Sequence, residues 1–390
     1  MRTYLIKHIT LILCAMFTLQ SCIEEFVADL PIEDTNLLVV EGTIVSDEVS
    51  QFHISKTIPI DSEISKENIA NARLTIIGTD GLNLVVPFST SRTYSVKVPK
   101  LNPEAEYSLQ IECEGETYVT DPQKPFPTNP IESVDFNQRE KYSPVNILVT
   151  TSVPTNPEET QYYRWTYEET WEVKADYRTN IMWDPVEKTA IPNTIPLLSR
   201  GWCKAYGRDI IASSSAYYDN NQIVKYRLYD IDHTDRRLGV LYSTLVKQRS
   251  ITKEEYEYEN ERRRISQDMG GLFTPQPSVL PTNIRCTTSS RRAIGYIGCS
   301  AGYATKRLFI NEDEVSTLIE TGCKALYSTD KDFPGDDKLY EQGYLLFMHQ
   351  PALMGGFETG WTTRRCLDVK HIGAKGDMPP YWPGYEETNP

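Results

Sequence analysis

The chain has 390 residues, with 54 acidic against 40 basic side chains and a formal net charge of −14. A surface that acidic is repelled by phosphate backbones and anionic headgroups, which speaks against nucleic acid and against attachment to a membrane through charge. The chain is 39% hydrophobic and 11% aromatic, enough to build a packed core, and longer than one core usually serves, so two domains are expected.

Residues 1–21 read as a lipoprotein signal peptide. Arg2 and Lys7 make a positive start, and the run from Ile9 to Leu19 is uncharged and mostly apolar. That run suits a leader and falls short of the roughly 20 apolar residues a membrane helix needs. The cut site Leu19-Gln20-Ser21-Cys22 resembles the lipobox of bacterial lipoproteins, with Gln20 a less usual middle residue. The resemblance implies that Cys22 carries the lipid after cleavage, and several acyl chains at ~0.8 kcal/mol per buried methylene make a stable anchor. Cleavage removes Arg2 and Lys7 and no acid, so the charge falls by two, from −14 to −16.

Residues 22–36 are polar and aperiodic, a flexible stalk. Residues 37–120 carry short β signals: the β-branched run Leu37 to Val45, then Arg73 to Ile77 and Leu82 to Val86 around a turn at Thr79-Asp80-Gly81. Leu101, Pro103 and Tyr107 precede an alternating strand and resemble the tyrosine corner of immunoglobulin-like sandwiches, with a transthyretin-like sandwich as the alternative. Residues 121–130 hold prolines at 122, 125, 127 and 130, a stiff extended linker. The second, larger β-rich domain, 131–385, contains all six tryptophans. Val145, Ile147 and Val149 alternate, as do Tyr163, Trp165, Tyr167 and Trp171, with Glu169 interrupting that row; spacing of this kind points to core. One capped helix is expected at 253–268, with Thr252 and Glu255 as its capping box, Ile251 and Tyr256 as its staple and Gly270-Gly271 as its stop. Residues after His371 read as irregular, and 386–390 as a tail. The fold class is therefore mainly β.

Six cysteines remain after Cys14 leaves with the leader and Cys22 is lipidated, none in a C-x-x-C pair. An exported chain favours disulfides among them, and 15 pairings are open. Gly298-Cys299-Ser300-Ala301-Gly302 is a literal G-x-S-x-G, but a serine hydrolase needs a helix after the serine. Here a further strand is expected from Tyr303 to Ile310. The acidic turns at Asp230 to Asp235 and Asp330 to Glu341 are expected to be solvated rather than metal-binding. Pro334 occupies a ligand place of the second, a partial calcium-loop pattern. No catalytic set, metal site or cofactor is expected. Trp361, Tyr381, Trp382 and Tyr385 stand among glycines and prolines, and are expected to be exposed and available to a ligand.

Taken together, Leu38 to Ile44 (L-V-V-E-G-T-I), the Y-Y-R-W-x-Y-E-E-T-W-E segment from Tyr162, Gly270 to Ser278 (G-G-L-F-T-P-Q-P-S) and Pro380-Tyr381-Trp382-Pro383 resemble the domain-of-unknown-function 4249 family of Bacteroidota lipoproteins. The resemblance implies no catalytic residues. It implies an outer-membrane lipoprotein beside TonB-dependent receptors. Glu24-Glu25 is similar to the acidic signal for export to the cell surface. The chain departs from the C-x-D-C of that family at Val369, so a disulfide using that position is absent or rewired. The resulting expectation is a lipid-anchored, non-catalytic envelope protein that binds a ligand or a TonB-dependent receptor. A structural or adhesive surface protein is the alternative, and a hydrolase on Ser300 a remote one.

Overall fold

The computed structural model describes residues 36–57, 69–89, 93–268, 280–353 and 355–385. The leader, Cys22, Glu24-Glu25 and the stalk through residue 35 lie outside the described residues, as do Gly270 to Ser278 and 386–390.

Strands β1 (Leu38–Val45), β2 (Val49–Lys56), β3 (Arg73–Gly78), β4 (Asn83–Val86), β5 (Tyr94–Lys97), β6 (Tyr107–Cys113) and β7 (Glu116–Thr120) form the first unit. β1-β2-β5 lies in one sheet and β7-β6-β3-β4 in another, the A-B-E and G-F-C-C′ order of an immunoglobulin-like sandwich. The two sheets share one core, in which Val40, Phe52, Leu74, Ile76 and Leu109 are buried. The tyrosine corner forms. The Tyr107 hydroxyl accepts the Asn102 N–H at 2.8 Å and donates to Asp80, tying the start of β6 to backbone five residues upstream.

Residues 121–130 then run extended along the sandwich. The Phe126 N–H donates to the Cys299 carbonyl at 2.9 Å and Thr128 Oγ1 to that of Gly302 at 2.7 Å, so the linker is docked along its length. The second unit contains β8 (Ile131–Gln138), β9 (Val145–Thr151), β10 (Tyr162–Lys174), β11 (Ile181–Asp184), β12 (Thr189–Pro192), β13 (Arg200–Tyr206), β14 (Ile211–Ser214), β15 (Tyr226–Ile231) and β16 (Leu241–Ile251). Helix α1 (Lys253–Asp268) follows. Thr252 caps it as expected, its Oγ1 accepting the Glu255 N–H at 3.2 Å. Glu255 leaves the box to clamp the buried Arg249, at 2.6 and 3.0 Å, because a buried guanidinium needs a carboxylate more than an end amide does.

After α1 the chain returns to the first sandwich, and here the structure departs from the boundaries of 37–120 and 131–385. β17 (Ile284–Cys286) pairs with β7, and β18 (Ala293–Ser300) pairs in parallel with β1 along all eight residues, so Ile284, Ala293 and Ile297 belong to the first core. A local pattern cannot show which distant edge a strand will join. β19 (Ala304–Asn311) then completes the large sheet, in the order β13-β10-β16-β19, with β14 also on β10. Its inner face packs on β15-β9-β8 over Tyr163, Trp165, Val246 and Ile231.

A small module follows: β20 (Ala325–Tyr327), a second, short helix α2 (Asp336–Glu341), β21 (Leu345–Pro351) and β22 (Phe357–Thr362), joined by the β11–β12 hairpin. Its core is Trp183, Leu339, Leu346 and Trp361. Cys323 and Cys366 form a disulfide with a Cα–Cα distance of 5.6 Å. Cys113, Cys203, Cys286 and Cys299 are free. The segment after His371 holds to the body, its Lys375 pairing with Trp202 of β13.

The units therefore follow one another along the molecule. The sandwich meets the second unit at the Val45/Ser300 end of its β1–β18 pair, where Ser46 bonds to Ser300. Leu38, where the chain enters, is at the opposite end of that pair. The small module attaches beyond the other end of β10, where Tyr177 N–H donates to the Cys366 carbonyl.

Candidate functional site: the outer face of the large sheet

Because β10, β13, β16 and β19 pair without a register break, the residues of its outer face line up in rows across the strands. Tyr162 and Arg164 at one end lie under α1, whose Tyr256 packs on Tyr162 at 5.0 Å and whose Glu259 pairs with Arg164 at 2.8 Å. At the other end the C-terminal segment covers Thr170 and Glu172. Tyr381 shares a 2.8 Å hydroxyl–hydroxyl hydrogen bond with Thr170, and Trp382 Nε1 donates to Glu172 at 3.3 Å. Two rows stay open between these walls. One is Thr166-Lys247-Thr305, and the other is Tyr206-Glu168-Leu245-Arg307. From strand spacing and rise, the open strip is ~14 Å across the strands and ~20 Å from wall to wall.

The electrostatics of this strip run against the acidic average of the chain. Glu168 is taken by Lys247. The guanidinium of Arg307 lies 3.6 Å from the centre of the Tyr381 ring and donates to Ser243 Oγ at 3.1 Å, and the Lys204 ammonium lies 5.7 Å from the same ring. Among the described residues neither cation has a carboxylate within ion-pair reach. Burial pulls the Arg307 pKa below its ordinary value, against the opposing pull of Tyr381 and Glu168, yet a guanidinium stays charged at physiological pH. Tyr206 is 69% exposed and Tyr381 38%, so two flat aromatic surfaces flank the cations. The strip can hold an anionic, partly apolar ligand by charge-assisted hydrogen bonds and ring contact.

Of the four aromatic residues expected to be exposed, only the tyrosines are. Tyr385 is 39% exposed. Trp361 is fully buried, and its Nε1 donates to Asp336 Oδ1 at 2.8 Å. Trp382 is 2% exposed and packs edge-on against Phe309 and Trp202. Glycine and proline in the chain around them say nothing about what packs over them from elsewhere. Conversely, Arg307, Lys204 and Tyr206 escaped the sequence reading. The signal that could have found them was period-2 phase, since Thr305, Arg307 and Phe309 alternate with the inward-facing Leu308 and Ile310.

The other constellations resolve into structural roles. Ser300 is fully buried at the end of β18, its Oγ donates to the Gly302 carbonyl at 3.0 Å, and a strand follows instead of a helix. The strand–serine–helix elbow is therefore not built there. Asp336 serves Trp361 and Thr359, Asp337 serves Trp183 and Lys188, and Asp232 caps its own turn at Thr234. Glu169, which interrupts the aromatic row of β10, is buried on the inner face against Arg237 and the Tyr242 hydroxyl. Among the described residues no three His, Cys, Asp or Glu side chains converge as a metal set, and no helix is long and apolar enough to cross a membrane.

A family model described as a domain of unknown function (DUF4249) matches residues 23–306, which takes in the sandwich and the large sheet as far as the start of β19. Strands β20 to β22 and helix α2 of the small module, and the Tyr381–Trp382 wall, lie beyond the match, while the β11–β12 hairpin lies within it. No curated protein matches the chain.

Proposed function

The chain belongs to the DUF4249 family, and on that premise we propose that it is a lipid-anchored, non-catalytic envelope lipoprotein of a Bacteroidota bacterium, held at the outer membrane by Cys22. In this reading the body binds a ligand, or a TonB-dependent outer-membrane receptor, through the outer face of its large sheet. The observation that carries the anchor is the Leu19-Gln20-Ser21-Cys22 site behind an apolar run too short to span a bilayer. Two structural facts support it. The Cys323–Cys366 disulfide suits an oxidising compartment. The chain also enters at the Leu38 end of the sandwich, away from the large sheet, so an anchor there leaves the open face free.

Cells producing the chain are expected to incorporate a clickable palmitate analogue, and Cys22→Ser to lose the label and release the body into the soluble fraction. A wild-type chain without label would overturn the anchor. Crosslinking in solubilised outer membrane, followed by mass spectrometry, reads the partner. One observation favours the adhesive alternative: at the β21–β22 turn Leu353 is fully exposed and Phe357 61% exposed, an uncharged tip at the far end of the small module. Recovery of crosslinks through that tip, and none to a receptor, would favour it.

A further inference from the structure

The geometry points to an acidic oligosaccharide, one bearing carboxylate or sulfate groups, as the ligand of the open strip; this rests on the reading that the outer face is the binding surface. Arg307 and Lys204 carry the argument. Both are cations of an acidic chain, both lie against one ring, and neither forms an ion pair with a carboxylate among the described residues. Elsewhere the body pairs its buried and half-buried guanidinia: Arg249 with Glu255, Arg237 with Glu169 and Asp235, and Arg200 with Glu172. Arg307 breaks that pattern at a place open to solvent, and its planar fork suits a bidentate carboxylate or sulfate.

The shape selects a sugar over a peptide. Peptides that bind sheets add to an edge, where main-chain groups are free. This strip is a face whose inner strands β10 and β16 have both edges paired, so it offers side chains alone. What it offers beside the cations is flat ring surface at the 69% exposed Tyr206, and the part of Tyr381 that Arg307 leaves uncovered, suited to the C–H face of a pyranose. The neighbouring Glu168–Lys247 pair and Thr166 add hydrogen-bonding groups for hydroxyls.

The test uses the full chain in detergent and a tetragalacturonate probe, with its methyl ester, a polyglutamate peptide of equal charge and inorganic sulfate as comparisons. Tetragalacturonate is expected to bind, more weakly as salt is raised. The neutral ester, the peptide and free sulfate are expected to bind at least ~10-fold more weakly. Arg307→Gln is expected to weaken the tetragalacturonate Kd by ~10- to 100-fold, the range of a lost charge-assisted bond. Lys204→Gln, on an exposed side chain that cannot disturb the fold, is expected to weaken it by ~3-fold or more. No binding of the tetragalacturonate, equal binding of the ester or the peptide, or unchanged affinity in both variants would overturn the assignment. Palmitate labelling and receptor crosslinking are read separately, so the anchored-partner reading stands or falls on its own data.

Discussion

Trp361 and Asp336 are 25 residues apart in the chain and meet inside the small module, where the indole N–H finds the acceptor that a buried tryptophan requires. Trp361→Ala removes one of the two tryptophans of a four-residue core and leaves Asp336 with Thr359 alone as side-chain donor, so it is expected to cost ~3–5 kcal/mol of that module's stability, read by urea unfolding. Asp368 tests a different term. Its carboxylate is buried, and burial alone would raise its pKa. The N–H groups of Lys370 and Leu198 and the Arg364 guanidinium outweigh burial and hold it below the ordinary value. A depressed folded pKa stabilises above the unfolded value of ~3.9 and is lost as pH falls through the folded one. The wild-type urea midpoint is therefore expected to drop more steeply between pH 5 and the acid limit than that of Asp368→Asn; parallel curves would contradict it.

At the scale of elements, β1 and β18 show how one distant strand completes a sheet. Their parallel pairing requires a close backbone approach: a Cβ on Gly295 would sit 2.1 Å from the Val40 carbonyl oxygen, and its φ of +140° is one that other residues rarely adopt. Gly298 makes room in the same strand for Glu255, whose carboxylate would meet a Cβ at 2.4 Å. Gly295→Ala is expected to destabilise the sandwich by ~3 kcal/mol or more, with a lowered Tm as the readout. A substitution at Gly81, in the open turn between β3 and β4, meets no atom within 4 Å, leaving backbone strain alone. The glycines look alike in the sequence and differ only in what lies over them.

For the whole molecule the consequence is interdependence. The first sandwich takes two strands from beyond residue 280, so residues 36–130 produced alone would leave the edges of β1 and β7 bare. That fragment is expected to aggregate, and co-expression of residues 281–302 to restore a soluble, cooperatively melting sandwich. At the other end, the disulfide closes a 43-residue separation around most of the small module, and the open sheet face lies between the two, walled by α1 on one side and the C-terminal segment on the other.

The β class, the hairpin at Thr79-Asp80-Gly81, the tyrosine corner at Tyr107 and the start of α1 at Thr252 were legible in the sequence, because each depends on neighbours within a few residues. The proposed leader and lipidated Cys22 rest on a local pattern of the same kind, at residues 2–22. The partnership of β18 with β1, the burial of Trp361 and Trp382, the pairing of Cys323 with Cys366 and the row joining Arg307 to Tyr206 were settled only by tertiary structure. In each of these the deciding atom comes from a part of the chain far away in sequence. Strand pairing and side-chain burial depend on which surfaces meet, and hydrophobic contact, being non-directional, leaves no mark of its partner in the residues on either side.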